Sequence, residues 1–510
     1  RPASRRGQRP AGSGRADRPG VGRRFRPWFR PRFERWVGQR PRPVVGRSVG
    51  LVRLERFNPL RWFLGGILRF PLRAADPRQP APFHPHELLV GRAPGIVGVH
   101  PGLVQQREQF SALRHPRRVA ARHPARRILG LRLLTMRLPK GTAHPYVIDG
   151  HNDLPIALRE AYGVDLAGID LHAGVPDLQT DLPRLRQGGV GGQFWSVFVP
   201  ASFSGEKAVT ATLEQIDLVH RLVRRYPEDL ALCTTADQVE AAVASGRVAS
   251  LIGMEGGHSI NDSLGALRMM HALGARYMTL THNENVSWAD SATDDPVHGG
   301  LTDFGREVVR EMNRLGMFVD LSHVSHQVMD QALDVVTAPV IFSHSSARAV
   351  CDIERNVADD VLARLPTNGG VVMVAFVGPF VKQEIADWYR SVLDVVRERG
   401  GDPRDYPTVM AVVAERTEVA PPPTCTAEDV ADHIEHIREV AGVDHIGLGS
   451  DYDGAPSFPT DMPDVAGYPR LFEVLRARGW SDPELAAVAH GNLLRAMREM
   501  ETVADPAARI

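Results

Sequence analysis

The sequence predicts an α/β fold of the (β/α)8, TIM-type barrel class, preceded by a disordered Arg- and Pro-rich extension. Three observations lead there. Eight short apolar runs of strand character alternate with helical stretches between residues 136 and 510. Six of the eight finish on or beside a His or a carboxylate. Residues 1–135 differ from the remainder in both composition and charge.

The runs, in order, are VIDGHND (147–153), QFWSVFVP (193–200), SLIGMEGG (250–257), YMTLTH (277–282), MFVDLSH (317–323), PVIFSHSS (339–346), VVMVAF (371–376) and HIGLGSDYDG (445–454). Nearly continuous apolar runs of this length suit strands buried on both faces, as in a parallel sheet. Between them, EQIDLVHRLVRRY (214–226), ADQVEAAVASG (236–246), DFGREVVREMNRLG (303–316), VADDVLARL (357–365) and CTAEDVADHIEHIREVAG (425–442) carry helical periodicity. Thr302 or Asp303 is expected to cap the third helix, Gly316 to end it, and Thr426 to cap the last. Strand alternating with helix argues for a parallel sheet, and eight such units for a closed barrel. A doubly wound open sheet is the alternative, but it places one site at a switch point and does not gather residues from six strand ends. Two longer insertions, 283–302 and 377–424, follow strands, where barrels build substrate selection.

The formal net charge of +1 conceals two opposed regions. Residues 1–135 hold 30 arginines, no lysine and six acids, a net +24; the remainder holds 31 basic and 54 acidic residues, a net −23. Such halves are not expected to form one folded unit, so the domains divide as 1–135 and 136–510. High charge with frequent Pro argues for disorder in the first. One functional reading is a basic arm for nucleic acid or anionic lipid, with Trp28, Phe29, Phe33 and Trp36 available for stacking. The simpler reading is translation from a start placed too far upstream, with Met136 as the natural start. On that reading no nucleic-acid partner is expected. No stretch approaches the ~20 apolar residues of a membrane span. WFLGGILRF (62–70) is too short, and ETVADPAARI lacks the apolar tail of a lipid-anchor signal. Cys233, Cys351 and Cys425 are widely spaced and form no CxxC, which points to buried reduced thiols and a cytoplasmic protein.

The polar strand ends carry the chemistry. His151 and Asp153 are two residues apart, so in an extended strand both side chains reach one face and one cation. Glu255 ends an apolar run and is costly to bury unless paired or metal-bound. His323 and His344 end consecutive strands 21 residues apart, about one strand–helix unit; neutral imidazole is a common zinc ligand. His326 falls at a helix start and reads as structural, and His258 is open. Some two-metal barrel hydrolases bridge their ions with a modified lysine. Here Lys140, Lys207 and Lys382 are the only lysines and none ends a strand. A carboxylate must then bridge, and Glu255 is the best candidate. This gives His151, Asp153 and Glu255 to one metal and Glu255, His323 and His344 to the other, about 3.5–4 Å apart around a shared activated water.

At this level the chain resembles the membrane (renal) dipeptidase family of zinc peptidases, within the amidohydrolase-type barrels. The motifs are DGHNDLP (149–155), GMEGGHSI (253–260), LTHN (280–283), DLSHVS (320–325), SHSSARAV (343–350), ERN (354–356) and GSDYDG (449–454). The resemblance implies the same two-metal assignment, two Zn2+ ions per chain, dipeptide substrates and a homodimer. It adds His282, Arg355 and Asp451 as substrate-contacting residues. Their chemistry is consistent with this. Arg355 can bind a free carboxylate bidentately, unless it is a surface partner of Glu354 or Asp352. His282 can stabilise the oxyanion. Asp451 can carry a proton from the attacking water to the leaving amine, with Asp453 as second choice. Three other readings compete: hydrolysis of another small amide or a β-lactam, nucleic-acid binding through the basic arm, and a metal-free barrel retained for binding.

Overall fold

A computed structural model of the protein describes residues 144–508 apart from Val164, Asp165 and Ala167. The extension 1–135, Met136 and Lys140 lie outside the described residues. Within them run nine strands: β1 Val147–Asn152, β2 Val190–Ser196, β3 Leu230–Leu232, β4 Val248–Glu255, β5 Ala275–Thr279, β6 Phe318–Asp320, β7 Ile341–Phe342, β8 Val371–Val374 and β9 Ile446–Leu448. Every pairing is parallel. The hydrogen-bonded order is β2-β1-β9-β8-β7-β6-β5-β4, and β2 also pairs β4, which closes an eight-stranded barrel. All eight expected strands are in it. The ninth, β3, was not anticipated; it pairs only with the first half of β4, at Val248 to Ser250.

Alternation along the strands builds two apolar layers, because successive residues face opposite sides. Ile148, Phe194, Leu251, Tyr277, Phe318, Ile341 and Met373 form one cluster, to which helix Asn492–Val503 adds Leu493, Met497 and Met500. Their neighbours Val147, Trp195, Ile252, Met278, Val319, Phe342 and Val372 belong to a second cluster with the surrounding helices. The first fills the barrel and the second packs its outside, as expected of the architecture.

Four of the five expected helices are continuous: Glu206–Arg225, Ala236–Ala244, Asp303–Leu315 and Ala427–Val440. Thr302 caps the third through its side chain, Gly316 ends it at φ +73°, and Thr426 heads a capping box. The stretch 357–365 instead breaks into Asp359–Leu362 and Leu365–Asn368. Pro366 lies in the first turn of the second piece and cannot donate to a continuous helix. The insertion 377–424 folds into helices Gly378–Val381, Gln383–Glu398 and Tyr406–Val419 with a small core of Val392, Val396, Val409 and Val412. All three cysteines are buried and free.

His433, in helix Ala427–Val440, ties that insertion to the barrel. Its Nδ1 accepts from the Ala347 N–H (3.0 Å) and its Nε2 donates to the Val381 carbonyl (2.9 Å). Burial pushes its pKa down to about 4. Between that value and the ordinary 6.5 the unfolded chain binds a proton that the folded chain does not. The stability is therefore fully present above pH ~6.5 and falls as pH drops toward 4, by on the order of 3 kcal/mol from this residue. His271 and His490, also pushed down to about 4 by burial, act with the same sign. On going from pH 7 to pH 5 the urea midpoint is expected to change less unfavourably in His433→Gln than in the parent, while buried acids such as Asp453, raised to about 6, act with the opposite sign in both proteins. Identical pH profiles for the two proteins would contradict this account.

Candidate metal centre

The parallel strands deliver their C-terminal ends to one side of the barrel, and seven polar residues arrive there. His151 lies in β1 with Asp153 just after it; Glu255 is the last residue of β4. His282, His323, His344 and Asp451 follow β5, β6, β7 and β9. All but His282 are buried. His323 and Asp451 both stand at φ +67°, in the left-handed region. For residues with a Cβ this conformation is strained, and such strain concentrates at functional sites.

Glu255 divides its two oxygens between two groups. Oε2 faces His151 Nε2 (3.3 Å), which also stands 3.4 Å from Asp153 Oδ2. Oε1 faces His323 Nε2 (3.1 Å), His344 Nε2 (3.6 Å) and His282 Nε2 (3.7 Å). Ser196, at the end of β2, donates to Oε2 at 2.9 Å. Asp451 joins the first group: one ligand atom each of His151, Asp153 and Asp451 lie within 4.8 Å of one another. The same span holds for His151, Glu255 and His344, and for Glu255, His282 and His323. Backbone passes close to the first group at Gly454, where an added Cβ would run into both Asp153 Oδ2 and Asp451 Oδ1.

Tautomers, assigned from hydrogen-bond partners, show what this pocket can hold. His323 Nδ1 meets the amide oxygen Asn283 Oδ1 (3.2 Å), so Nδ1 carries the proton. Ser343 Oγ donates to Asp320 Oδ2 (2.6 Å) and therefore accepts from His344 Nδ1 (2.8 Å). Both Nε2 atoms are left as bare lone pairs, 2.9 Å apart. Burial pushes both pKa values well below the usual histidine range. In the first group, His151 Nε2 and Asp153 Oδ1 are buried without a hydrogen-bond partner. His151 Nδ1 is engaged by the Tyr277 hydroxyl (2.8 Å). Converging lone pairs and carboxylates, with the imidazoles of His151, His323 and His344 oriented from behind, form a donor set that could hold a divalent cation.

Electrostatics separate the remaining members. Burial pushes the Glu255 carboxyl up, but the facing histidines, His151 foremost, hold it well below the usual range. Asp451 goes the other way, raised well above the usual carboxylate value by burial. Burial pushes His282 down to about 4; its ring packs 4.8 Å from Phe198. Arg355 is buried, brought down to about 10 by desolvation against the pull of Asp451 and Glu255. It is not the surface partner of its neighbours: Arg348 pairs with Asp352 (2.9 Å) and Glu354 (3.7 Å) instead.

A family model for membrane dipeptidases, peptidase family M19, matches residues 141–510. The chain belongs to the membrane dipeptidase family. It is similar to Dipeptidase 3 of Rattus norvegicus, 43% identical over 364 residues, covering 70% of this chain and 66% of that protein. It thus spans just under two thirds of the length of that relative. A metallopeptidase from Rhodobacter sphaeroides, solved with a phosphinate mimic of the dipeptide L-Ala-D-Ala, is 25% identical with a TM-score of 0.58, over 70% of this chain and 99% of that one. The metallopeptidase dipeptidase AC is 27% identical with a TM-score of 0.59, over 70% and 98%.

Other groups of this membrane dipeptidase family member are placed by the same geometry. His258, left open by the sequence, bonds the Val199 carbonyl (3.1 Å) and holds the loop after β2. His326 begins helix His326–Val335 and pairs with Asp360 (3.1 Å). Asp453 accepts from the Gln179 N–H (2.7 Å), and burial pushes it up to about 6. Lys207 lies over the Phe203 ring and Lys382 pairs with Asp429; neither joins the centre. The sequence reading missed the supports behind the ligands. Asp320 spans β5 to β7 through Thr279, Ser322 and Ser343. Asp149 does the same between β1 and the end of β9 through Ser450, with Tyr468 donating as well. The signal was present, since each is a carboxylate inside an apolar run, and burying one requires a full set of donors. No helix among the described residues is long and apolar enough to cross a membrane.

Proposed function

We propose that the chain is a metal-dependent hydrolase that cleaves the peptide bond of dipeptides. The observation that carries this reading is the split of the Glu255 carboxylate between two groups of converging ligands. His151, Asp153 and Glu255 would hold one cation and Glu255, His323 and His344 the other, zinc in both by family resemblance. His282 stands within the same reach of Glu255 as the second group, so its side chain faces the centre. Two such cations supply Lewis acidity, making a water acidic near neutral pH and polarising a carbonyl.

The protein's own groups do the rest. Arg355 takes the free carboxylate of the dipeptide and so fixes which amide enters the centre. His282 donates to the carbonyl oxygen as negative charge develops there. Asp451 accepts the proton of the attacking water and returns it to the departing amine. The buried position beside His151 and Asp153 keeps it within reach of both events. Similarity to a metallopeptidase solved with a dipeptide mimic supports this substrate class. A β-lactam or other small amide is the second reading, because Arg355 accepts any carboxylate beside the scissile bond. A cytoplasmic homodimer completes the proposal.

The test is a panel of dipeptides beside their N-acetylated and C-amidated forms, with metal content measured on the same protein. Free dipeptides are expected to be cleaved with kcat/KM at least ~100-fold above the blocked forms, as befits loss of a charged contact. About two ions per chain are expected. Equal rates on blocked and free forms would defeat the dipeptidase reading.

A further inference from the structure

The segment opening the second insertion is held at three consecutive carbonyls by buried side chains. Cys351 Sγ donates to Pro379 (3.4 Å), Asn356 Nδ2 to Phe380 (2.9 Å) and His433 Nε2 to Val381 (2.9 Å). Cys351 and Asn356 belong to the loop that follows β7 and carries Arg355. The two segments are therefore fixed to each other on both sides of Arg355. Out of this clamp the half-buried Phe380 presents its ring to the guanidinium, 4.9 Å from Arg355 Cζ to the ring centroid.

Arg355 has little else to hold it. It makes two long hydrogen bonds, to Ser345 Oγ (3.3 Å) and the His344 carbonyl (3.5 Å), and no ion pair within 4 Å among the described residues. A planar cation can bind a carboxylate by its N–H edge while an aromatic ring packs on its face.

We propose that Phe380 is a positioning residue for substrate binding: its ring fixes the plane of Arg355 so that the N–H edge stays free for the C-terminal carboxylate of the dipeptide. This rests on the dipeptidase reading. It makes the second insertion part of the recognition of the substrate's charge, through one aromatic side chain.

The test is steady-state kinetics of the metal-loaded, full-length protein, using a dipeptide and its C-amidated analogue. Phe380→Leu is expected to raise KM for the dipeptide roughly tenfold with kcat little changed, the scale of a desolvated cation–π contact. kcat/KM on the amide should not move, and Phe380→Tyr should restore the dipeptide KM. Phe380→Met replaces the Leu variant if that one does not fold. Equal losses on dipeptide and amide, or no rescue by Tyr, would overturn the proposal. Arg355→Gln separates the two claims. If it raises the dipeptide KM while Phe380→Leu does not, Phe380 alone is wrong. If Arg355→Gln leaves the dipeptide KM unchanged, the carboxylate assignment falls and takes this inference with it.

Discussion

Glu255→Gln is expected to reduce kcat/KM on a dipeptide by on the order of 10³-fold or more and to lower bound metal below the two-ion level. The carboxylate faces both ligand sets, with Oε2 toward His151 and Oε1 toward His323 and His344. Gln keeps the shape but removes the charge. It also replaces one oxygen with an NH2 that no cation accepts as a ligand. The His323 and His344 set then loses its carboxylate, and the His151 set keeps only that of Asp153. A loss of ~4 kcal/mol in transition-state stabilisation corresponds to about a thousandfold in rate. Metal analysis with activity measurement on the folded variant checks it. A variant that retained two ions and near-normal turnover would rule out the bridging role proposed for Glu255.

Asp320→Ala is expected to cost about 4 kcal/mol or more of folding stability, a large fraction of the 5–15 kcal/mol typical of a domain. Four donors converge on this buried carboxylate. The N–H groups of Ser322 (3.1 Å) and Ser343 (2.8 Å) reach Oδ1, and the hydroxyls of Thr279 (2.5 Å) and Ser343 (2.6 Å) reach Oδ2. Truncation strands the two backbone donors in the barrel and frees the hydroxyl that orients His344. Asp320→Asn should cost less, because its oxygen still serves the backbone donors and the two hydroxyls can rotate to accept from its NH2. Urea unfolding of the three proteins measures the differences. An Ala variant within ~1 kcal/mol of the parent would show that the network is not what joins β5, β6 and β7. Metal content should fall in the Ala variant as well, since groups behind a ligand typically alter affinity 10–100-fold.

The eight barrel strands were legible because each is a short apolar run buried on both sides, and burial of that kind leaves a local mark. β3 left none. Leu230–Leu232 is three residues long and pairs along half of one neighbour, too little for any periodic signal. The break at Pro366 was also readable, but the apolar spacing of 357–365 outweighed it. At the centre, Asp149 and Asp320 were passed over because a carboxylate in an apolar run looks like a ligand or an error until its donors are known. Those donors come from other strands. Phe380 was invisible as a partner of Arg355 for a related reason: the clamp on its three carbonyls is built from residues of two separate segments.

The chain by itself determined which residues stand at the strand ends. Every strand in a parallel barrel runs the same way, so a His or carboxylate that closes an apolar run must arrive on the same side as the others. Tertiary structure alone decided how they meet. Pairing of β1 with β9 and of β2 with β4 closes the ring and brings side chains more than a hundred residues apart to within 4 Å. Left-handed turns at His323 and Asp451 then set their aim. Distances of that kind depend on closure and on packing behind each ligand, and neither is written in any local stretch of sequence.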